Sequence, residues 1–477
     1  MSFIIATGVA SAIPFAVGLF RQARVFWLLL ASMIAGVVCG PFLFSAGGIS
    51  IDRLLLLAAG VGFLSTVIKG DQPVPSLRAV DYPLLLFTGW MLYRSLPTLA
   101  NAPEYEPISR WIFFLVVPVL CYLLGRFIPA GVKDFRLGAS ALLLMGCYLA
   151  VTGVLEVAGL HSLVFPRYIV DPAEWEFFGR ARGPLMNPVA NGILLVTAFA
   201  IALMRTSERD TAWGTISWFA AGLLGVGIIA TLTRSVWMSA GLVFLLYIWV
   251  YRRNLLAPMM MFGLGAGLLI TTVGSGVDVL NIKRDKNLSA ADAAKSVELR
   301  PVLAIVAMDM AKDRPLTGHG YAGYKATSQP YLANRNHDAA LEGVRPYVQH
   351  NFILSLLVDG GLVAVCLLGC WGYFAWRSAW TLGGRNRDWD RDLKTLGFAA
   401  LACFIAFGIN GMFHDTTIIP MMVQFVLFLS GLIIGLMYRK ADEAQRTQRS
   451  ERSGWSSMAF SLTGLRTRFR KLCGLSG

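Results

Sequence analysis

The chain has 477 residues, 56% of them apolar and only 15% charged, with a formal net charge of +14. A soluble protein of this length would need far more polar surface, so the composition excludes one and indicates a polytopic membrane protein. The positive charge does not point to nucleic acid, because the basic residues fall in short loops and the C-terminal tail rather than in a basic domain.

In chain order, the first apolar run (about Phe3 to Phe20) has no basic residue before it, with Arg21 and Arg24 following. A secretory signal carries its charge in front, so this run is expected to be retained as a span with its N-terminus outside. Further apolar runs follow at roughly Val25–Phe44, Leu54–Ile68, Tyr82–Leu99, Trp111–Phe127, Leu137–Leu160, Pro188–Met204, Trp213–Ala230, Ser235–Tyr251 and Leu255–Val273. Three more close the chain, at Asn351–Trp376, Leu393–Ile409 and Ile418–Tyr438. Basic groups such as Lys69/Arg78, Arg205/Arg209 and Arg252/Arg253 recur in every second loop, which predicts about thirteen spans, or twelve if the first run is only interfacial. The C-terminus is then cytoplasmic.

The predicted organisation is N-terminal helices over residues 1–274, a large polar loop over 275–350, C-terminal helices over 351–438 and a basic tail over 439–477. The loop faces away from the cytoplasm. It is expected to hold a helix from about Ala290 and a second helical piece from Pro301 to Asp313, with Arg300 just before that second start. Gly318-His319-Gly320-Tyr321-Ala322-Gly323 matches Gly-x-Gly-x-x-Gly, but no strand precedes it, so it reads as a turn and not a dinucleotide loop. In the tail, Leu462, Leu465, Phe469 and Leu472 at helical spacing among basic residues predict an interfacial helix on anionic lipid.

Ionisable residues within or beside the spans (Arg94, Arg110, Glu156, Arg234, His350 and Asp359) gather toward the outward side, as do all five histidines. Charge in hydrocarbon is costly and usually functional. A transporter is expected to place such groups near the midplane; an outward-opening active site collects them on one face. The seven cysteines form no Cys-x-x-Cys and none lies in the loop, so neither a disulfide framework nor a cysteine metal site is indicated. Cys366 and Cys370 share a helical face and read as small buried residues.

Two signatures stand together. Thr231-Leu232-Thr233-Arg234-Ser235-Val236-Trp237 sets an arginine at an outward lip, and His350-Asn351 precedes the pair Gly360-Gly361. With Arg300 and the Pro315-to-Gly320 turn, this set resembles the bacterial O-antigen ligase and O-antigen polymerase superfamily. Arg182-Gly183-Pro184-Leu185-Met186-Asn187-Pro188 is similar to that family's lead into a helix. Ala364 stands where the stricter ligase pattern prefers Gly, Thr or Tyr, so the resemblance is to the superfamily, with ligase and polymerase both left open.

The resemblance implies a glycosyltransferase of the inner membrane with its active face in the periplasm. The donor would be a glycan on a polyprenyl diphosphate, the acceptor a glycan or glycolipid hydroxyl, and no metal, nucleotide or other cofactor would be needed. It implies His350 as catalytic base and Arg234 and Arg300 as diphosphate ligands, with Asn351, Asp359 and Arg182 in supporting roles. Asp359 either orients a partner or pairs with Arg94 or Arg110. The competing class is a secondary transporter or flippase of lipid-linked glycans, which internal repeats and broken mid-membrane helices would favour.

Overall fold

The computed structural model describes residues 25–39, 50–255, 290–333, 341–345, 350–384 and 389–443, apart from 73–74, 129, 175 and 208–211. The run expected at Phe3–Phe20, nearly all of the one at Leu255–Val273, His337 and the tail helix lie outside these residues. In chain order the main helices are α1 (Val25–Cys39), α2 (Ile51–Ile68), α3 (Tyr82–Asn101), α4 (Pro103–Phe127), α5 (Val132–Val157) and α6 (Pro188–Arg205). Then come α7 (Ala212–Ala230), α8 (Arg234–Tyr251), α9 (Ala290–Asp313), α10 (Phe352–Gly383), α11 (Arg391–Phe413) and α12 (Pro420–Glu443). Eight of them (α2, α4, α5, α6, α8, α10, α11 and α12) are long and apolar enough to cross a membrane, and no strand occurs among the described residues. The chain is an all-α, multi-pass membrane protein.

The bundle is built around α6, which is almost wholly buried and packs on α5, α7, α8 and α11. Its run from Pro188 to Met204 holds no charge and many small residues, so neighbours approach closely, as Gly146 of α5 does at Ala198 and Val236 of α8 at Gly192. Association inside lipid relies on such packing, because there is no water to expel. The same device joins α12 to α4: Gly431 and Gly435, four residues apart, lie against the backbone of Tyr122 and Arg126. By contrast, Cys366 and Cys370 are exposed on the surface of α10, not buried as expected.

In the loop, α9 runs unbroken through Pro301, so the expected second helix start does not exist. Arg300 therefore precedes an interior proline and not a helix N-terminus, and the dipole argument for its position falls away. An interior proline costs about 3 kcal/mol or more. Packing offsets that cost here: Leu303, Val306, Ala307 and Met310 of α9 are buried against Tyr324, Leu332, Leu341 and Val344 of the loop and Val358 of α10.

This small core seats the loop on a break in α10. Gly361 has φ 67° and ψ −168°, a conformation essentially confined to glycine. The break releases carbonyls on one side and amides on the other, and the Pro315–Gly320 turn answers both. His319 N and Gly320 N donate to Val358 O and Asp359 O, while Leu362 N donates to Pro315 O at 2.8 Å. Helix α3 clamps the turn from behind. Trp90 Nε1 donates to Gly360 O (2.8 Å), Arg94 Nη2 to Gly318 O (3.0 Å), and Tyr321 N to Arg94 O (2.9 Å). Irregular backbone at membrane depth is tolerated only when protein satisfies it in this way. Arg94 is thus committed to a carbonyl, not to Asp359 as one expectation had it.

Candidate active site

The end of α11 gathers the segments that carry the motif residues. Asn351 caps α10, its Oδ1 accepting from Ile353 N (2.9 Å) and Leu354 N (3.0 Å), and its Nδ2 donates to Met412 O (3.0 Å). That double tether fixes the backbone immediately after His350. Two residues before Met412, Asn410 Oδ1 accepts from Ser235 Oγ at 2.7 Å, which pins the first turn of α8 beside Arg234. The turn before Arg234 is held from the other side by Arg180, whose guanidinium donates to Thr231 O (3.2 Å) and Thr233 Oγ1 (2.6 Å).

Arg234, Arg300, His350 and Asp415 share one electrostatic neighbourhood, Arg234 acting on Arg300 and both Arg300 and Asp415 acting on His350. The pKa of Arg300 is lowered, first by burial and then by the charge of Arg234. Its Nε is buried without a hydrogen-bond partner. His350 is solvent-exposed, yet enough protein surrounds it that partial loss of hydration is the main cause lowering its pKa from 6.5. Arg300 lowers it further and Asp415 opposes the shift. The imidazole is therefore neutral near pH 7 and able to accept a proton.

Sequence reasoning missed Asp415. It is buried, accepts from Thr417 N (3.0 Å) and Thr417 Oγ1 to start a short 3-10 turn, and also lies in the field of Asp359. Its only sequence signal was its place directly after His414 at the end of an apolar run. Asp359 itself is almost wholly buried at the break in α10, near the Ala322 amide and Arg110, and its Oδ1 has no hydrogen-bond partner.

Arg182 belongs elsewhere. It is wholly buried, and all three of its side-chain nitrogens are engaged. Nε meets Glu156 Oε1 (3.2 Å) and Ile169 O (3.0 Å), Nη1 meets Glu174 O and Glu176 O, and Nη2 meets Ile169 O (2.6 Å). Burial lowers its pKa, and Glu156 opposes that shift. Its fork closes the segment between α5 and α6 and holds the scaffold there. His319 is likewise structural: its Nε2 lies 2.9 Å from Met310 O within the loop core. Among the described residues no group of three or more His, Cys, Asp or Glu side chains is placed to hold a metal ion.

Residues 219–369 match the family model described as O-antigen ligase. Over that stretch, about a third of the chain, the protein is similar to that family. The matched stretch contains Arg234, Arg300, His350, Asn351 and Asp359 but neither Arg182 nor Asp415. No curated protein matches the chain. The family is a glycosyltransferase-like enzyme class acting between lipid-linked glycans and acceptors.

Proposed function

We propose that this protein transfers a glycan from a polyprenyl diphosphate carrier to an acceptor hydroxyl at the periplasmic face of the bacterial inner membrane, in O-antigen or exopolysaccharide assembly. One observation carries the reading: Arg300 is partly buried in the field of a second arginine, with its Nε unsatisfied. Two cations held together cost energy unless an anion joins them, and a guanidinium fork suits the oxygens of a phosphate. Arg234 and Arg300 hold the diphosphate and stabilise the charge that develops on it.

The acceptor oxygen then forms a bond to the anomeric carbon as the bond from that carbon to the phosphate oxygen breaks. The electron pair leaves with the diphosphate, and the hydroxyl proton passes to a ring nitrogen of His350. Asn351 positions His350 through the capping contacts, and Asp415 supports the imidazolium that forms. The arginines supply the positive charge that a metal would otherwise provide. Purified protein in lipid nanodiscs, given a lipid-diphosphate glycan and an acceptor, is expected to turn over in the presence of a chelator. Loss of turnover on chelation, restored by a divalent ion, would overturn the metal-free mechanism.

A further inference from the structure

The seam between α4 and α12 ends in a cluster of charges that the candidate active site does not use. Helix α12 starts just after Asp415 and runs for 24 residues, about 36 Å of rise, so its last turn lies at the opposite end of the bundle. Gly431 and Gly435 bring the α12 backbone onto that of Tyr122 and Arg126. This close approach sets Arg126 and Arg439 together although they are far apart in sequence. Arg439 Nη1 donates to Ile128 O (2.7 Å), and the Arg126 guanidinium lies over the Tyr438 ring, 4.5 Å from its centroid. Arg126 is a like-charged neighbour of Arg439.

Neither fork is filled among the described residues. Arg126 is only 5% exposed, yet its Nε makes no hydrogen bond. Asp81 Oδ1 stands 3.5 Å from that nitrogen but is already engaged. It accepts from Tyr122 Oη (2.5 Å), and Asp81 Oδ2 accepts from Arg78 N (2.8 Å). Arg439 Nη2 is buried and also lacks a partner. Buried donors on a cation call for an acceptor. Around Tyr438, the cations Arg78, Arg126, Arg439 and Lys440 exceed the carboxylates Asp81, Asp442 and Glu443 by one charge. A phosphodiester carries one negative charge and several acceptor oxygens, which a guanidinium fork suits. Beside the cluster, α3 leaves Tyr82 and Leu86 exposed, an apolar face where spanning helices reach the headgroups.

We propose that Arg126 and Arg439 bind one phosphate oxyanion between the ends of α4 and α12, at the end of the bundle opposite the candidate active site. Two sources share this chemistry: the phosphodiester of an anionic membrane lipid and a soluble phosphate. The site stands whether or not the protein transfers glycans.

Native mass spectrometry of the full chain in detergent tests it. The probe is dioctanoyl phosphatidylglycerol, dioctanoylglycerol supplies the same chains without phosphate, and inorganic phosphate is the competitor. Saturable binding of the phospholipid is expected, with dioctanoylglycerol weaker by about tenfold or more. Arg439→Gln should weaken phospholipid binding by about tenfold or more, because charge-assisted hydrogen bonds are lost. Arg126→Lys keeps a charge beside Asp81 and should weaken binding through loss of the fork. Arg377→Gln, at an exposed arginine toward the same end of α10, should change nothing. Displacement of the phospholipid by inorganic phosphate at lower concentration than by unlabelled phospholipid supports the oxyanion site and assigns it to the soluble source; failure of phosphate to displace it assigns the lipid. Equal binding of the two lipids, or undiminished binding in both folded arginine variants, overturns the proposal. So does an equal loss in Arg377→Gln, which would reduce the effect to general surface charge, and so does the absence of saturable binding by either phosphate source.

Discussion

Two arginines of this protein, Arg182 and Arg300, have opposite surroundings. Arg182 is wholly enclosed and its fork is filled by Glu156 and three backbone carbonyls. Arg300 is only partly buried, leaves Nε unsatisfied and has Arg234, a like charge, as its electrostatic neighbour. Burying a charged group with an unsatisfied donor is expensive, and among the described residues nothing accepts from Arg300 Nε. Where the charge is closed internally, as at Arg182, it holds the scaffold. On the proposed function, the contrast separates an arginine that folds the protein from one that meets a substrate, and it can be broken by experiment.

The largest effect is expected at the group that neither closes the scaffold nor holds the anion. His350→Ala should reduce glycan transfer by about 10²–10⁴-fold, the usual contribution of a general base, with the thermal unfolding profile unchanged. Transfer near the wild-type rate by His350→Gln would remove the base role, since glutamine can orient a hydroxyl but cannot take its proton.

The two arginines come next. Arg182→Ala leaves Glu156 buried without its partner, and breaking such a pair costs about 3–5 kcal/mol; it should show as loss of folded protein or a lower melting temperature. Arg300→Ala should leave the melting temperature unchanged or raised, because a like-charge contact is relieved. Its transfer rate should fall by about 10²–10³-fold, as for removal of one donor to a developing negative charge. The reverse pattern, with Arg300 governing stability and Arg182 governing transfer, would invert the comparison.

How much of this the sequence disclosed follows from the range of each interaction. The spans were legible because hydrocarbon imposes long apolar runs, and Arg234 and His350 stand out in the sequence through the motifs that contain them. The loop's turn was legible as a turn, but its seat was not. Gly318 and Arg94 meet across 224 positions, and nothing in either segment names the other. The continuity of α9 through Pro301 was hidden because a buried core overrides local helix preference. The pairing of Arg182 with Glu156, 26 positions apart, was hidden as well, because a motif match does not reveal what fills a guanidinium fork. Asp415 had no motif of its own; the hydrogen bonds of Ser235 to Asn410 and of Asn351 to Met412 O bring the end of α11 to the site.

The broken segment of α10 offers a smaller effect. Gly361→Ala places a Cβ against the Leu316 carbonyl in a backbone conformation that alanine rarely adopts. Strain of this kind costs about 1–3 kcal/mol, so the turn should loosen from α10 and limited proteolysis near Arg314 should quicken. Gly369→Ala, in the regular part of the same helix and in open space, should stabilise by up to about 1 kcal/mol. Equal behaviour of the two variants would mean that the turn does not depend on the break.

The smallest expected effect is a shift in titration, and it probes the Arg300 environment most directly. Burial and the Arg300 charge both disfavour the imidazolium of His350, so its midpoint should lie below 6.5, and transfer should fall only as pH drops through that lowered value. The signs for neighbours are opposite. Arg300→Gln removes a cation that opposes protonation, so the midpoint and the acid limb of the rate should move to higher pH. Asp415→Asn removes a carboxylate that favours protonation, so both should move to lower pH. Histidine-selective NMR in nanodiscs, with His350→Gln to assign the resonance, measures the midpoint without substrate. Movement of both variants in the same direction, or of neither, would mean that His350 does not sense the two charges.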